Sequence, residues 1–277
     1  MWIANKVAYR GAENFTRAYQ GDTLIWDKSA PIEADYILYT STTGEVVEPY
    51  LLDTSAKEQF GANIISNTYS NGQGRITFDG PVVRIGADGG IGVQYGVFWH
   101  RDALESVIIP DNVKSIGAFA FNAASNLKTV VLPESIERIY RAAFASCYRM
   151  NQINLPKSIT ALEQSAFSNC NALTSVELPP ITTISKFLYL ECSGLHSVTL
   201  PETTRYILQG AFENCINLDK IEIKTKTPPT IGYKVFYGSN CPIYVPSSAV
   251  EDYKAAWTDY ASRIEASLDL DEGDFEW

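Results

Sequence analysis

The sequence predicts an α/β repeat fold: a solenoid of short parallel strands, closed by a β-rich N-terminal cap and a C-terminal capping helix. Three observations predict it. From Leu104 to Ile223 the prolines recur every 23 residues, at Pro110, Pro133, Pro156 and Pro179, then at Pro201 after one dropped residue. Other columns keep that step and share that deletion: Phe98, Phe121, Phe144, Phe167, Tyr189 and Phe212; Ile116, Ile139, Leu162, Ile184 and Ile207; Cys147, Cys170, Cys192 and Cys215. The flanking segments leave the period and carry turn and helix signals instead. A fixed period in the twenties marks a leucine-rich-repeat solenoid, whose units bury their apolar face only by stacking on one another.

One unit, Leu173 to Pro179, shows how each turn is built. Leu173, Val176 and Leu178 are apolar while Thr174, Ser175 and Glu177 are polar, so the segment reads as a short strand with one face inward. Proline ends it, because it has no amide with which to extend a ladder. The expectation is one such strand per repeat, about seven in all, parallel and joined by right-handed crossovers. The phenylalanine, cysteine and leucine columns are the expected core.

The pattern I-x-x-x-A-F-x-x-C-x-x-L-x-x-V-x-L-P, carried here by Leu162, Ala166, Phe167, Cys170, Leu173, Val176, Leu178 and Pro179, resembles the BspA-like leucine-rich repeat family. The resemblance runs from Gly61 to Ile264. The segments from Tyr36 and from Phe60 are also similar to members from gut Bacteroidetes, Bacteroides among them, and their phages. It implies cell adhesion through recognition of proteins or glycans, and brings no catalytic residues with it.

The ends divide the rest of the chain. Residues 1–30 read as a hairpin module, with strands around Gln20-Gly21-Asp22 and Tyr19, Leu24 and Trp26 on its apolar face. Ala18-Tyr-x-Gly-x-Thr-Leu-Ile-Trp26 is similar to a short module of phage tail-associated proteins, which implies attachment to a larger assembly; a hairpin packed on the next domain is the alternative. After a linker at Pro31, residues 32–80 read as a β-rich cap. It has strands at Tyr36, at Ile64 to Tyr69 and at Arg75 to Phe78, turns at Thr43-Gly44 and Asn71-Gly72, and a short helix from Ser55 to Phe60. Residues 81–245 are the solenoid. Between Ile85 and Phe98 it carries a glycine-rich surplus that misses the spacing of a dinucleotide-binding turn and reads as a side insertion, a binding loop being the alternative.

Cys241-Pro-Ile-Tyr-Val-Pro246 reads as a last strand. Over residues 246–266, Ser248 and Glu251 have capping-box spacing, and Val250, Tyr253, Trp257, Tyr260 and Ile264 form one stripe, so a single capping helix is expected. Residues 267–277 form an acidic tail whose Phe275 and Trp277 could dock on a partner.

Composition narrows the function classes. The net charge of -10 argues against nucleic acid as a partner, since phosphate neutralisation needs a basic face. No apolar run approaches a membrane span, so no membrane insertion is expected. The first ten residues lack the apolar core of a secretory signal. The expected location is therefore a virion or, with a signal outside this sequence, the extracellular cell surface. Five cysteines without C-x-x-C pairs, four in one column, read as small core hydrophobes and not a zinc site; stacked copies lie about 4.8 Å apart, which leaves a disulfide as the alternative.

No constellation for chemistry appears. His100 and His196 sit in no Ser, Cys or metal motif, and the carboxylates show no pair placed for glycoside hydrolysis. The expectation is a protein that is not an enzyme and takes no cofactor and no metal. The candidate site is the outward side of the strands. Its columns run through Lys128, Asn151, Thr174, His196 and Asp219, through Thr129, Gln152, Ser175, Ser197 and Lys220, and through Val131, Asn154, Glu177, Thr199 and Glu222. From these, Asn151, Gln152, Asn154, Thr174, Glu177, His196 and Thr199 are the expected ligand-binding residues, for a host surface protein or glycan. A merely solvated sheet face is the alternative.

Overall fold

The computed structural model describes residues 17–20, 23–27, 35–51, 55–88 and 95–267. Near the N-terminus, β1 (Arg17–Gln20) and β2 (Thr23–Asp27) pair antiparallel, Gln20 opposite Thr23 and Ala18 opposite Trp26. The hairpin strands are therefore present; the turn residues Gly21 and Asp22, the linker at Pro31 and residues 268–277 of the acidic tail lie outside the described residues.

The N-terminal cap is built as its residue types dictate. Strands β3 (Tyr36–Ser41), β4 (Ile64–Ser70) and β5 (Gln73–Phe78) are antiparallel, and β4 turns into β5 through Asn71 and Gly72, both at positive φ (50° and 79°). That left-handed pair is the geometry a tight hairpin needs and the reason for Asn-Gly. Between them, α1 (Ala56–Phe60) opens on a reciprocal capping box: Ser55 Oγ accepts from the Glu58 N–H at 3.2 Å and Glu58 Oε2 from the Ser55 N–H at 2.8 Å.

From there two parallel ladders climb the molecule, one more than the sequence reading anticipated. The even-numbered strands, two residues each, are β6 (Arg84–Ile85), β8 (Ser115–Ile116), β10 (Arg138–Ile139), β12 (Ala161–Leu162), β14 (Thr183–Ile184), β16 (Tyr206–Ile207) and β18 (Thr230–Ile231). The odd-numbered strands carry the candidate face: β7 (Leu104–Ile108), β9 (Thr129–Val131), β11 (Gln152–Ile153), β13 (Ser175–Glu177), β15 (Ser197–Leu200), β17 (Lys220–Ile223) and β19 (Ile243–Val245). Cap strand β3 lies antiparallel on β7, with Leu38 opposite Ile108, so the first edge of this ladder is covered.

The returning segments are runs of turns, so among the described residues α-helix is confined to the two caps. They nevertheless make a third ladder. In each turn from Phe119 onward two residues take positive φ, as at Phe119 and Ala123 (both 57°), Ser165 (57°) and Asn169 (60°), and Phe187 (56°) and Glu191 (59°). Alternate N–H groups then point forward: Phe119, Phe121 and Ala123 donate to the carbonyls of Arg141, Ala143 and Ala145 at 3.0, 2.7 and 2.8 Å. Three hydrogen-bonded seams thus close a narrow prism around the apolar columns.

The aromatic column is that core. Phe98, Phe121, Phe144, Phe167, Tyr189, Phe212 and Phe236 are buried and stack nearly parallel, with ring centroids 5.2 to 5.7 Å apart. Phe60 of α1 covers its first ring at 6.3 Å, and Trp257 and Tyr260 cover its last at 6.2 and 5.5 Å. The cysteines are buried and unpaired. Each thiol of the column donates to the carbonyl of the aromatic residue one turn back: Cys147 to Phe121, Cys170 to Phe144, Cys192 to Phe167 and Cys215 to Tyr189, at 3.0 to 3.3 Å.

The C-terminal cap corrects the single-helix expectation. A 3-10 turn (Ser247–Ala249) leads into α2 (Val250–Ala256), with no side-chain cap from Ser248; Trp257 breaks the helix at φ -114°, ψ 60°, a second 3-10 stretch follows (Thr258–Arg263), and Ile264 belongs to a strand, β20 (Ile264–Ala266). Pro246 is the local cause at the start, because its carbonyl takes the Ala249 N–H at 2.8 Å and sets a tight turn before the helix. Tyr253, Trp257 and Ile264 are buried all the same, and β20 extends the odd ladder beside β19. No helix among the described residues is long and apolar enough to cross a membrane.

Candidate recognition surface

Along the odd ladder the inward positions are fixed by packing, while most outward ones face solvent. Register aligns Ser175, Ser197 and Lys220 in one row and Glu177, Thr199 and Glu222 in another. Just ahead of the strands, the N–H of His196 donates to the Thr174 carbonyl and that of Asp219 to the His196 carbonyl, both at 2.8 Å, which aligns these three as well. His196 Nδ1 lies 2.9 Å from Asp219 Oδ2 on the exposed face. Of the expected residues, Thr174, Glu177, His196 and Thr199 therefore share one sheet, the first three exposed and Thr199 half-buried.

Asn151, Gln152 and Asn154 stand apart from them. Strand β11 ends one sheet and β13 begins another, and the even ladder breaks in the same turn, between β12 and β14. The local sequence explains the seam. In neighbouring turns a hydroxyl clips the chain to the turn below: Ser135 Oγ donates to the Val113 carbonyl and Ser158 Oγ to that of Ile136, both at 2.6 Å, and Thr203 Oγ1 to that of Ile181 at 3.1 Å. At the seam this position is Pro180, with neither hydroxyl nor N–H, next to the one-residue deletion. Ile153 and Leu155 are only partly buried there, whereas Val130, Leu132, Val176 and Leu178 are buried. The core and the turn ladder bridge the gap, with Phe144 stacked on Phe167 at 5.6 Å and the Phe167 N–H on the Leu188 carbonyl at 3.0 Å.

Two outward assignments change. Asn154 is committed to the backbone: its carboxamide accepts from the Leu132 N–H at 3.3 Å and donates to the Leu132 carbonyl at 3.2 Å. Val131, counted in a polar outward column, is buried with Ile108 and packed by Tyr36 and Leu38 of the cap. The cap sheet continues the same surface, so the Ile108–Val131 row of the outward face is covered and apolar. Nothing in the repeat itself signals this cover, because it comes from residues about 70 to 95 positions earlier, an order of separation that periodicity cannot report.

The glycine-rich insertion is held at both visible ends by structural glycines. Gly86 takes φ 85°, and a Cβ on Gly96 would lie 2.0 Å from the Phe119 carbonyl oxygen. Residues 89–94 lie outside the described residues. At the exit, Tyr95 packs on Trp99 and Tyr50, with ring centroids 4.3 and 5.8 Å apart. His100 is exposed, edge-on to Trp99 at 4.4 Å. Among the described residues, no group of three His, Cys, Asp or Glu side chains is placed to hold a metal ion.

The repeat geometry agrees with the family comparison: the model of the BspA type leucine rich repeat region matches in six copies, over residues 92–193 and 182–256. The chain belongs to the BspA-type leucine-rich repeat family. Among solved structures, it is 27% identical to the T. pallidum leucine rich repeat protein, over 69% of this chain and 84% of that one, with a TM-score of 0.54. It is 30% identical to a leucine rich cell surface protein from Faecalibacterium prausnitzii, over 60% of this chain and 43% of that one, with a TM-score of 0.51. The chain thus matches under half the length of the latter. No curated protein sequence matches it. The BspA-type repeats are consistent with a role in surface adhesion or recognition.

Proposed function

We propose that this chain is a non-catalytic recognition protein that binds a protein or glycan on a cell surface through the outward side of its odd-numbered strands. One contrast carries the reading. The inward columns repeat from turn to turn, as stacking demands, while the aligned outward rows change: Ser175, Ser197, Lys220; Glu177, Thr199, Glu222; Thr174, His196, Asp219. Hydroxyls, carboxylates and an imidazole on a rigid face offer directed hydrogen bonds without the ordering cost of a flexible loop. Asn151 and Gln152 extend this surface across the seam.

Two modes of display are open to such a protein. The F. prausnitzii relative is described as a cell surface protein, which supports display on a bacterial surface as an adhesin. Display on a phage particle, with residues 1–30 as the attachment module, rests on the likeness of residues 18–26 to tail-associated modules. The test uses labelled full-length chain on intact bacterial and epithelial cells. Saturable binding, lost after protease or after glycosidase treatment of the cells, is expected and names the ligand class. Deleting residues 1–30 should spare this binding and abolish incorporation into particles. Absence of saturable binding to any cell type contradicts the reading, and loss of cell binding on deleting 1–30 moves the site off the strands.

A further inference from the structure

The turn ladder ends in an open edge. In the last complete pair of turns, the N–H groups of Gly210, Phe212 and Asn214 donate forward to the carbonyls of Tyr233, Val235 and Tyr237 at 3.0, 3.0 and 2.7 Å. One turn later the same positions are Lys234, Phe236 and Gly238. Lys234 and Gly238 keep the positive φ of their predecessors (57° and 88°, against 62° at Gly210 and 60° at Asn214), so their N–H groups face the same way. Among the described residues, no further turn of the ladder follows. The C-terminal cap covers only the middle donor, through Tyr260 Oη at a long 3.5 Å from the Phe236 N–H. Among the described residues, no hydrogen bond uses the N–H of Lys234 or Gly238.

These donors line a cleft of about 780 Å³ between the last turn and the cap, with Tyr233, Tyr237, Asn240, Thr258 and Asp259 also on its walls. The size is that of a ligand site. Its two cations are already engaged. Lys234 Nζ lies 3.6 Å from Glu213 Oε1 and 4.6 Å from the centre of the Tyr237 ring, and Arg263 Nε donates to the Cys241 carbonyl at 2.9 Å. The free donors are therefore neutral N–H groups, and their spacing suits peptide carbonyls four residues apart, as Tyr233 and Tyr237 offer to Gly210 and Asn214 in the turn before.

We propose that this edge binds a segment of a partner polypeptide, whose carbonyls four residues apart pair with Lys234 and Gly238 and continue the turn-to-turn interface running through the molecule. It is pairing by strand addition applied to a ladder of turns. Main-chain bonds supply the affinity, while Tyr233 and Tyr237, two of the most exposed large side chains, supply contact area for the segment's side chains. The site is separate from the strand face, so its occupancy does not depend on the recognition proposed above.

The test follows amide exchange of the isotope-labelled full chain by NMR, with the synthetic peptide of residues 230–245 as probe, because this sequence supplies the acceptors one turn earlier. Without peptide, the Lys234 and Gly238 amides should exchange much faster than those of Phe212 and Asn214. Saturating peptide should slow both by about tenfold or more. Asn240→Trp, which fills the cleft from an exposed position, should remove this protection and leave thermal unfolding unchanged. No protection at saturating peptide overturns the proposal. Protection already present in the free chain and lost on removing residues 268–277 makes the chain's own tail the occupant, against it. Protection by oligosaccharides and not by peptide also overturns it.

Discussion

The carboxamide of Asn154 holds the backbone of Leu132 at both its N–H and its carbonyl, at 3.3 and 3.2 Å. One turn earlier the equivalent donor, the Ile109 N–H, goes to a backbone carbonyl, that of Val131 at 3.0 Å. A side chain thus replaces main-chain pairing at the edge of the seam. Asn154→Ala leaves both Leu132 groups in want of a partner and should cost about 1–3 kcal/mol in urea unfolding, whereas Gln152→Ala, on the exposed side, should change stability by less than about 0.5 kcal/mol. Equal costs would show that Asn154 carries no structural duty.

Tyr189 stands in a column otherwise filled by phenylalanine, stacked at 5.4 Å on Phe167 and 5.6 Å on Phe212, and its buried hydroxyl has no hydrogen-bond partner among the described residues. Burial pushes its ionisation well above the ordinary value of 10.0. Tyr189→Phe removes the orphaned group and keeps the stack, so it should raise stability by about 1 kcal/mol. A loss of similar size in chemical denaturation would mean that the hydroxyl is satisfied.

Phe167 lies between the ladders on both sides of the seam and is fully buried. Phe167→Ala should cost about 3–5 kcal/mol, as for other buried aromatics. The unfolding transition should also broaden, because each turn rests only on its neighbours. A cost below about 1 kcal/mol contradicts the stacked core.

The thiols give the chain an alkaline limit. Burial raises Cys147, Cys170, Cys192 and Cys215 above the ordinary 9.0, Cys215 up to about 12. Because the unfolded chain releases these protons first, their stabilisation is complete below about pH 9 and declines as pH rises towards the folded values, by roughly 1 kcal/mol per pH unit for each thiol. Urea midpoints should fall steeply between pH 9 and 10, and less steeply in Cys215→Ala. A flat profile would place the thiols in water. The same burial means that a thiol reagent should find five groups in denaturant and almost none in the native chain.

Much of this architecture is legible in the residues. The proline, phenylalanine and leucine columns announce the stacked turns, and Asn71-Gly72 and Ser55/Glu58 announce the cap. The even ladder is not, since strands of two residues such as Ser115–Ile116 are too short to show alternation. Nor is the turn ladder, because its left-handed positions are filled by Phe119, Phe187 and Glu191, residue types that avoid positive φ. In the C-terminal cap the steps of three and four from Val250 to Ile264 fit one helix as well as a helix, a 3-10 stretch and a strand. The seam is not read from the sequence, although its cause stands there: Pro180 replaces the hydroxyl of Ser158 and Thr203 beside the deletion. For the face, sequence identified the outward rows, but Asn154 and Val131 are claimed by neighbours that no local pattern names.

The most direct test compares two faces of the same molecule on the same cells. One variant carries Gln152→Ala, Thr174→Ala, Glu177→Ala and His196→Ala on the odd-numbered strands, with Asn154 intact. The other carries Lys114→Ala, Glu137→Ala, Arg138→Ala and Glu163→Ala, which remove the ion pairs Lys114–Glu137 (3.3 Å) and Arg138–Glu163 (3.5 Å) beside the even ladder. Exposed pairs of this kind contribute little to stability, so both variants should fold. The account predicts that the first loses about tenfold or more in cell binding, roughly 1.4 kcal/mol, while the second binds as the parent does. Parental binding by the first variant, or loss confined to the second, would contradict it.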